Sequence, residues 1–401
     1  MERRLLIILY PFNIRKFDIE RYEIIQLQKY FQVEIHYFHN ILYPNFKNSY
    51  SKNLTKKNNI ISFNSIDNWK NYILKKKDKN KKISAINFLI KDNFLSINIL
   101  LFLKKYKIIR IDIFNPGLPI YSLEKNIFNT YEYYFYKIKS FFLRTKYVFE
   151  NSKILIKKFF FGSFLSLFIN LKPDFILTAG KKYLDMFKKS KIHIVNGNTN
   201  DYSRYLRIKN IKKIIKVSNY GVFLAAPGPK FPNDDLFWKT EMVDLFEKYY
   251  NSLDSFFKNL EKINKTKIVI ALHPKSKKEK HLPYLGYRKA YYDRSLELVK
   301  NCKFVVTFAS TSLSYALLFK KPIFFMYTNS VKDKNPAEMK YRIFLQRLIG
   351  GKLINIDDYS LDQLDINKNK ISIKNYNTYV KNYIKFGENS EPNFKIINRL
   401  L

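Results

Sequence analysis

Two short groups of residues in this chain have the chemistry to handle a phosphate. One is His273-Pro274-Lys275, followed closely by Lys277 and Lys278; the other is Ser310-Thr311-Ser312. A histidine titrates near neutrality and can give a leaving phosphate a proton or a charged hydrogen bond. The proline restricts the backbone just ahead of the lysines, whose ammonium groups hold phosphate as point charges. Hydroxyls at the start of a helix, together with its unpaired N–H groups, make a site for phosphate oxygens. Each group also has an ordinary structural use, as a strand-end histidine packed on a turn or as a helix cap. Attack by a sugar hydroxyl further needs a carboxylate to receive its proton. Asp201 follows an apolar run and a Gly-Asn loop, with Tyr202, Arg204 and Tyr205 around it. Asp18 and Glu23 follow the first strand and turn, and Asp112 lies inside a strand. All four equally suit a helix cap or a solvated loop. The catalytic set expected from these residue types is His273, Asp201 and Asp18, with Pro274, Lys275, Ser310, Thr311 and Ser312 as phosphate ligands.

The elements around these groups have a definite pattern. Apolar runs at 268–272, 304–308 and 322–327 are separated by helix-like stretches, which reads as a βαβαβ unit with parallel strands. Ligands in such sheets sit beyond the carboxyl ends of the strands, and both the His-Pro and the Ser-Thr-Ser fall there. Earlier in the chain, 5–10 reads as a buried strand, 18–31 as a helix and 33–38 as a second strand, the opening of a Rossmann-like half. No GxGxxG follows that first strand, so a dinucleotide fingerprint is absent. Further strands are expected at 108–114, 176–178, 192–196, 220–224 and 352–356, with a long amphipathic helix over 236–263. The expected organisation is an N-terminal Rossmann-like domain over 1–215, a C-terminal nucleotide-binding domain over 216–375, and terminal helices over 376–401.

Composition bounds the partners. With 401 residues, 46% of them hydrophobic and 17% aromatic, the chain has the material for two full cores rather than a disordered polymer. Its 73 basic and 33 acidic residues leave a formal charge of +40, an excess that favours polyanions, anionic lipid or phosphorylated substrates. Abundant Lys, Asn, Ile, Phe and Tyr beside scarce Gly and Ala is also what AT-rich coding produces, so the lysines have two sources. The single cysteine, Cys302, excludes an internal disulfide framework and any multi-Cys metal site; it reads as a buried thiol. His36, His39, His193 and His281 show no metal-ligand spacing, and no DxD element stands ready to hold a divalent ion. The stretch 122–171, rich in Tyr, Phe, Lys and Arg, fits basic amphipathic helices at an anionic membrane interface or the ordinary helices of an aromatic-rich protein. The longest uncharged run, 304–319, falls below the roughly 17–25 residues that span a bilayer. A cytoplasmic chain, soluble or peripheral on the inner face of the membrane, is therefore expected. No RRM, KH or zinc-knuckle pattern accompanies the aromatics, which weighs against nucleic acid.

The segment IVIALHPKSKKEKHLPYLGYRKAYYDRSLELVKNCKFVVTFASTSLSYALLFKKPIFF resembles a bacterial surface-polysaccharide glycosyltransferase family of GT-B fold. The likeness extends to LLIILYPFNIRKFDIERYEIIQLQKYFQVEIHYF, KPDFILTAG and NDYSRYL. The paired His-Pro and Ser-rich motifs are also similar to those of bacterial sialyltransferases and Kdo transferases that use CMP-activated sugars. The resemblance implies an α/β GT-B architecture, two facing Rossmann-like domains with a C-terminal helix returning to the first. It further implies an inverting glycosyltransferase that needs no metal or other cofactor and acts on capsule, lipopolysaccharide or related glycan. His273 would be the acid or phosphate ligand, and Ser310, Thr311 and Ser312 the phosphate clamp. Its partners would be a nucleotide-sugar donor and a glycan or lipid-linked glycan acceptor. One departure stands out: where an Asp is expected after the strand, this chain has Phe223-Leu224-Ala225. Two other readings use the same features: a polyol-phosphate transferase with a CDP donor, and a non-enzymatic basic protein that binds membranes or polyanions.

Overall fold

Apolar runs of four to six residues, flanked by helical stretches, bury both faces of a strand, and that is the signature of parallel sheets. A computed structural model describes residues 3–11, 14, 16–42, 59–78, 82–89, 94–120, 171–188, 191–208, 218–225, 246–273, 286–334, 336–388 and 391–401. Among these residues every strand pairing is parallel. The strands form two sheets in two compact units. Unit 1 comprises Met1–Asn115, Ser122–Asn198 and Glu391–Leu401; unit 2 comprises Pro116–Tyr121 and Thr199–Ser390.

In unit 1 the chain runs through β1 (Leu5–Tyr10), α1 (Lys16–Arg21), α2 (Ile24–Leu27), β2 (Gln32–Tyr37), α3 (His39–Leu42) and β3 (Ile60–Ser62). It continues with α4 (Ile66–Asp78), β4 (Ile83–Asn87), α5 (Phe94–Lys105), β5 (Ile109–Phe114), β6 (Phe175–Ala179), α6 (Lys181–Phe187) and β7 (His193–Gly197). The sheet order is β3-β2-β1-β4-β5-β6-β7, a doubly wound arrangement that reverses direction between β1 and β4. Alternation along β1 divides the core: Leu5, Ile7 and Leu9 pack with Trp69, Ile73 and Leu100, whereas Leu6, Ile8 and Tyr10 pack with Ile19, Ile24 and Leu27. The last helix of the chain, Asn393–Leu400, joins that second cluster through Ile396 and Ile397.

Two corrections to the sequence reading arise here. The helix expected over 18–31 is two short helices, because Glu23 stands between them in the left-handed region at φ 56° and its Oε2 accepts the Phe394 N–H at 3.0 Å. The boundary expected at 215/216 lies at 198/199, and only the last eleven residues of the expected 376–401 segment return to unit 1. Asparagines explain the boundary. The Asn198 N–H donates to Asn393 Oδ1 and the Asn393 amide donates back to Asn198 O, both at 2.9 Å. Asn198 Nδ2 reaches Glu391 O at 2.7 Å and Asn115 Nδ2 reaches Asn198 O at 3.3 Å. Three of the places where the chain enters or leaves unit 1 are thus knotted by amide hydrogen bonds.

In unit 2 the elements are α7 (Asn200–Ile208), β8 (Tyr220–Leu224), α8 (Phe246–Asn264), β9 (Lys267–Leu272), β10 (Ala290–Tyr292), α9 (Ser295–Asn301) and β11 (Val305–Thr307). Then come α10 (Leu313–Leu318), β12 (Ile323–Tyr327), α11 (Asn329–Lys334), α12 (Pro336–Ile349), β13 (Lys352–Asn355) and α13 (Ile373–Tyr379); Asn393–Leu400 is α14. The order β10-β9-β8-β11-β12-β13 again reverses direction once, between β8 and β11. Phe256, Phe257 and Leu260 of α8 cover one face. Arg288 pins this helix to the β10 side by donating to Glu261 at 2.8 Å and to Asp254, with its guanidinium over the Phe257 ring. Cys302 is buried as expected, and burial pushes its thiol up to about 12. The two Rossmann-like units and the terminal helix packed on the first are the α/β architecture that the sequence implies. The basic aromatic stretch, apart from its last residue, lies outside the described residues.

One polar cluster in unit 1 was not foreseen. Glu34 and His36, on the β2 face that α4 covers, meet Trp69, Tyr72 and Lys76 at helical spacing. Trp69 Nε1–H donates to His36 Nδ1 at 3.0 Å, so the ring proton sits on Nε2, 3.3 Å from Glu34 Oε2. Tyr72 and Lys76 each donate to Glu34 at 3.0 Å. Burial raises the Glu34 carboxyl, but these donors outweigh it and hold the group at about 2. Burial lowers the pKa of His36, which is 0% exposed and already faces an N–H donor, so it is neutral in the fold. In the unfolded chain both groups take up protons more readily than in the fold, so acid removes stability. Urea unfolding followed by circular dichroism should show stability falling below pH 6.5 as unfolded His36 protonates. It should fall further between pH 4.5 and about 2 as Glu34 protonates, by on the order of 3 kcal/mol. Glu34→Gln should flatten that lower limb.

Candidate active site

Because the strands of unit 2 are parallel, the residues that follow them collect at one carboxyl edge. Ala271, Leu224 and Thr307 lie side by side in register across β9, β8 and β11. His273 follows Ala271 by two residues, Ala225 follows Leu224, and Ser310 follows Thr307 by three. The His-Pro and Ser-Thr-Ser groups therefore flank β8, separated laterally by two strand spacings, roughly 10 Å. This is where the strand order reverses, the position at which doubly wound sheets leave a crevice. His273 is half-buried there; Pro274 and Lys275 lie outside the described residues, as do Lys277 and Lys278.

The Ser-Thr-Ser group forms a turn ahead of α10. The Ser312 N–H donates to Ser310 Oγ at 3.3 Å, so the Ser310 oxygen is an acceptor within the turn while its own proton points elsewhere. Ser312 sits at the helix N-cap and makes no side-chain cap hydrogen bond. Thr311 is engaged differently. A Cβ on Gly117 would stand 2.5 Å from Thr311 Cγ2 and 2.7 Å from Thr311 Cβ, so Gly117 lies directly on this side chain. The same segment is fastened by Tyr341, whose hydroxyl donates to Pro119 O at 3.0 Å.

The expected carboxylates have firm partners. Asp201 opens α7, which Thr199 caps by accepting the Tyr202 N–H at 3.3 Å. Its Oδ2 accepts from the Ser314 hydroxyl and its Oδ1 from the Tyr315 hydroxyl, each at 3.1 Å, so both oxygens face α10. Asp18 belongs to unit 1, on α1, and is buried at 1% exposure. Asp112 pairs with Arg110 at 3.0 Å and accepts from Asn87 at 3.0 Å on the neighbouring strand. The structure thus brings His273 and the Ser310–Ser312 turn to one edge, sets Asp201 against α10, and keeps Asp18 in the other unit. Ala225, where an Asp is expected, joins β9 through its N–H to Ala271 O at 3.0 Å and packs its methyl against the α8 cluster.

One charged residue near the edge escaped the sequence reading. Arg342 on α12 is buried with its guanidinium 4.9 Å from the Phe308 ring, Nη1 donating to Met326 O at 2.8 Å and Nε to Glu338 at 3.1 Å. Burial lowers its pKa. Phe308 lies two residues before Ser310, so this cation supports the base of the turn. The Glu338–Arg342 spacing of four was visible in the sequence; the ring beneath it was not. Among the described residues no group of three or more His, Cys, Asp and Glu could hold a metal ion, and no helix is long and apolar enough to cross a membrane.

No protein-family model matches the chain, and no curated protein matches it. Solved structures do. UDP-GlcNAc 2-epimerase from Methanocaldococcus jannaschii matches with a TM-score of 0.46 at 14% identity, over 99% of each chain. A putative UDP-N-acetylglucosamine 2-epimerase from Listeria monocytogenes matches with a TM-score of 0.47 at 10% identity, over 99% of this chain and 95% of that one. MurG of Acinetobacter baumannii matches with a TM-score of 0.44 at 9% identity, over 99% and 98%. At these identities and scores they assign no substrate and no residue role to this chain.

The contact between Gly117 and Thr311 has a direct test. Gly117→Ala should lower stability by about 1–3 kcal/mol in urea titrations, the cost of overpacking. Thr311→Gly, which removes both opposing atoms, should recover a measurable part of that loss in the double variant.

Proposed function

We propose that the chain is a glycosyltransferase of bacterial surface-polysaccharide biosynthesis that uses a nucleotide-activated sugar. The donor we assign is a CMP-linked nonulosonic or Kdo-like sugar, transferred with inversion and without a metal. The observation that carries this reading is the placement of His273 and the Ser310–Ser312 turn on either side of β8, at the reversal of strand order. That edge offers a titratable donor on one side and hydroxyl donors on the other, across a gap suited to a phosphate and the sugar it carries. In transfer, the bond from the anomeric carbon to the phosphate oxygen breaks with its electrons staying on phosphate. His273 stabilises or protonates that oxygen, while Ser310 and Ser312 donate to its neighbours. The acceptor hydroxyl forms the new bond to the anomeric carbon and loses its proton to solvent, which replaces the one His273 gives to the phosphate. Pro274 and Lys275, which follow His273 directly in the sequence, belong to the same phosphate side in this reading.

The partners follow from that chemistry: the nucleotide sugar and a glycan or lipid-linked glycan acceptor. The net charge of +40 supports work beside anionic lipid at the cytoplasmic face, as a peripheral rather than a spanning protein. A CDP-polyol donor would use the same phosphate ligands, and product mass spectrometry separates the two, as an added acidic sugar or an added polyol phosphate.

Thermal unfolding with CMP, CDP, UDP and GDP should show a CMP-selective rise in melting temperature. His273→Ala should lower transfer by about 10²–10⁴-fold with the melting temperature unchanged, and EDTA should leave transfer intact. Unaltered turnover in His273→Ala sinks the assignment. Vesicle or oligonucleotide binding that persists in this variant, with no response to any nucleotide, points to the non-enzymatic polyanion-binding alternative.

A further inference from the structure

We propose that Asp201 is a positioning residue that fixes the Ser310–Ser312 turn by gripping α10, and that it does not serve as the proton acceptor. The inference rests on the nucleotide reading above. Its basis is the way α7 lies against α10 within unit 2. At the start of both helices, the two oxygens of Asp201 accept one hydroxyl each, from Ser314 and Tyr315, at 3.1 Å. One turn further along α7, the Tyr205 ring meets Phe319 edge-on with centroids 5.3 Å apart, at the far end of α10. Between these contacts, Arg204 Nη2 donates to Asp293 O at 2.8 Å, just past β10. α7 therefore holds α10 at both ends and is itself moored to the opposite side of the sheet. Its own start is fixed by the Thr199 N–H, which donates to Ile384 O at 2.9 Å.

Proton accounting separates the two roles. Ser314 has one hydroxyl proton and two acceptors, Asp201 Oδ2 and Thr311 O, both at 3.1 Å. Asp201 draws that proton and the Tyr315 proton to one point, fixing Ser314 and Tyr315, while Thr311 O lies at hydrogen-bond distance of the same Ser314 oxygen. A protonated Asp201 would have to donate from one of its oxygens, and one hydroxyl contact would be lost or reversed. A base that loosens the donor-phosphate turn each time it takes a proton would work against the reaction it serves. With its two oxygens met by the Ser314 and Tyr315 hydroxyls, Asp201 keeps the turn in register, and these two residues, at 3% and 1% exposure, are too deeply buried to substitute water for it.

The experiment uses the full chain and CMP. Isothermal titration and thermal unfolding are compared for wild type, Asp201→Asn, Tyr315→Phe and the double variant, and donor turnover is measured alongside. Asp201→Asn and Tyr315→Phe should each weaken CMP binding about ten-fold or more while turnover at saturating donor changes much less, as a misplaced binding group does. The double variant should lose little beyond the larger single loss, because the two groups act as one contact. Unchanged CMP affinity with turnover lost returns Asp201 to the role of base and overturns the inference, and so do additive losses in the double variant. If Asp201→Asn fails to fold, Tyr315→Phe and Ser314→Ala, which each remove one hydroxyl, decide the matter on the same criteria. A wild-type chain that responds to none of CMP, CDP, UDP and GDP overturns the nucleotide reading, and this inference falls with it. Wild-type binding with undiminished binding in the variants overturns the inference alone.

Discussion

The constraint on which the rest depends is that neighbouring strands run the same way. A parallel pair cannot be closed by a hairpin, so each connection must cross back over a face of the sheet, and a helix is the economical way to do it. Burying strands on both faces then demands the apolar runs found in β1, β4, β8, β9 and β12. The same constraint delivers every strand's carboxyl end to one edge. Residues as far apart in sequence as Ala225, His273 and Ser310 become neighbours there without any contact having to select them. The edge is a consequence of topology, and the chemistry is what the sequence placed on it.

Polar groups complete what apolar packing leaves loose, and they do so where one element meets the next. Glu34 binds α4 to β2, Glu261 and Asp254 bind α8 to the turn before β10, and Asp201 binds α7 to α10. All are carboxylates met by several donors, which offsets the cost of removing charge from water. They differ in what lies at the other end. Around Glu34 are His36, Tyr72 and Lys76, with Trp69 behind His36, so that cluster sets stability and its pH dependence. Beside Asp201 is the helix that follows the Ser-Thr-Ser turn, so the same physical device fixes where that turn sits. Arg342 has a related place, holding Phe308 from below where β11 ends.

Much of this was legible in the sequence because it depends on local patterns. The strands at β1, β2, β5, β8, β9, β12 and β13 were readable from their apolar runs, and the two edge motifs from their position after such runs. What escaped depends on distance in space. Glu23 reads as an ordinary helical residue until Phe394, far along the chain, donates to it and breaks the helix. The boundary at 198/199 is set by amides on residues 115, 198 and 393, which no window of sequence brings together. Asp201 reads as a candidate base because it is an acidic residue near a strand end; its contacts with the hydroxyls of Ser314 and Tyr315 were not legible there. The close approach of Gly117 to the methyl and Cβ of Thr311 likewise lies beyond any local pattern.

Ala225 shows how these parts limit one another. It follows β8, between the two edge motifs, at the point where the strand order turns. An aspartate there would place a fixed negative charge beside any phosphate held by His273 and Ser310, or would need a cation or ribose hydroxyl to face. Ala225 offers neither charge nor hydrogen bond, and its methyl belongs to the apolar cluster under α8. The centre of the edge therefore offers backbone and shape, and the polar side chains stand on its two flanks. On one flank stands His273, half-buried. On the other stand hydroxyls whose positions depend on how firmly α10 is held. In the nucleotide reading proposed above, donor affinity would turn on the rigidity of one short turn, and that places the burden on the helix lying against it.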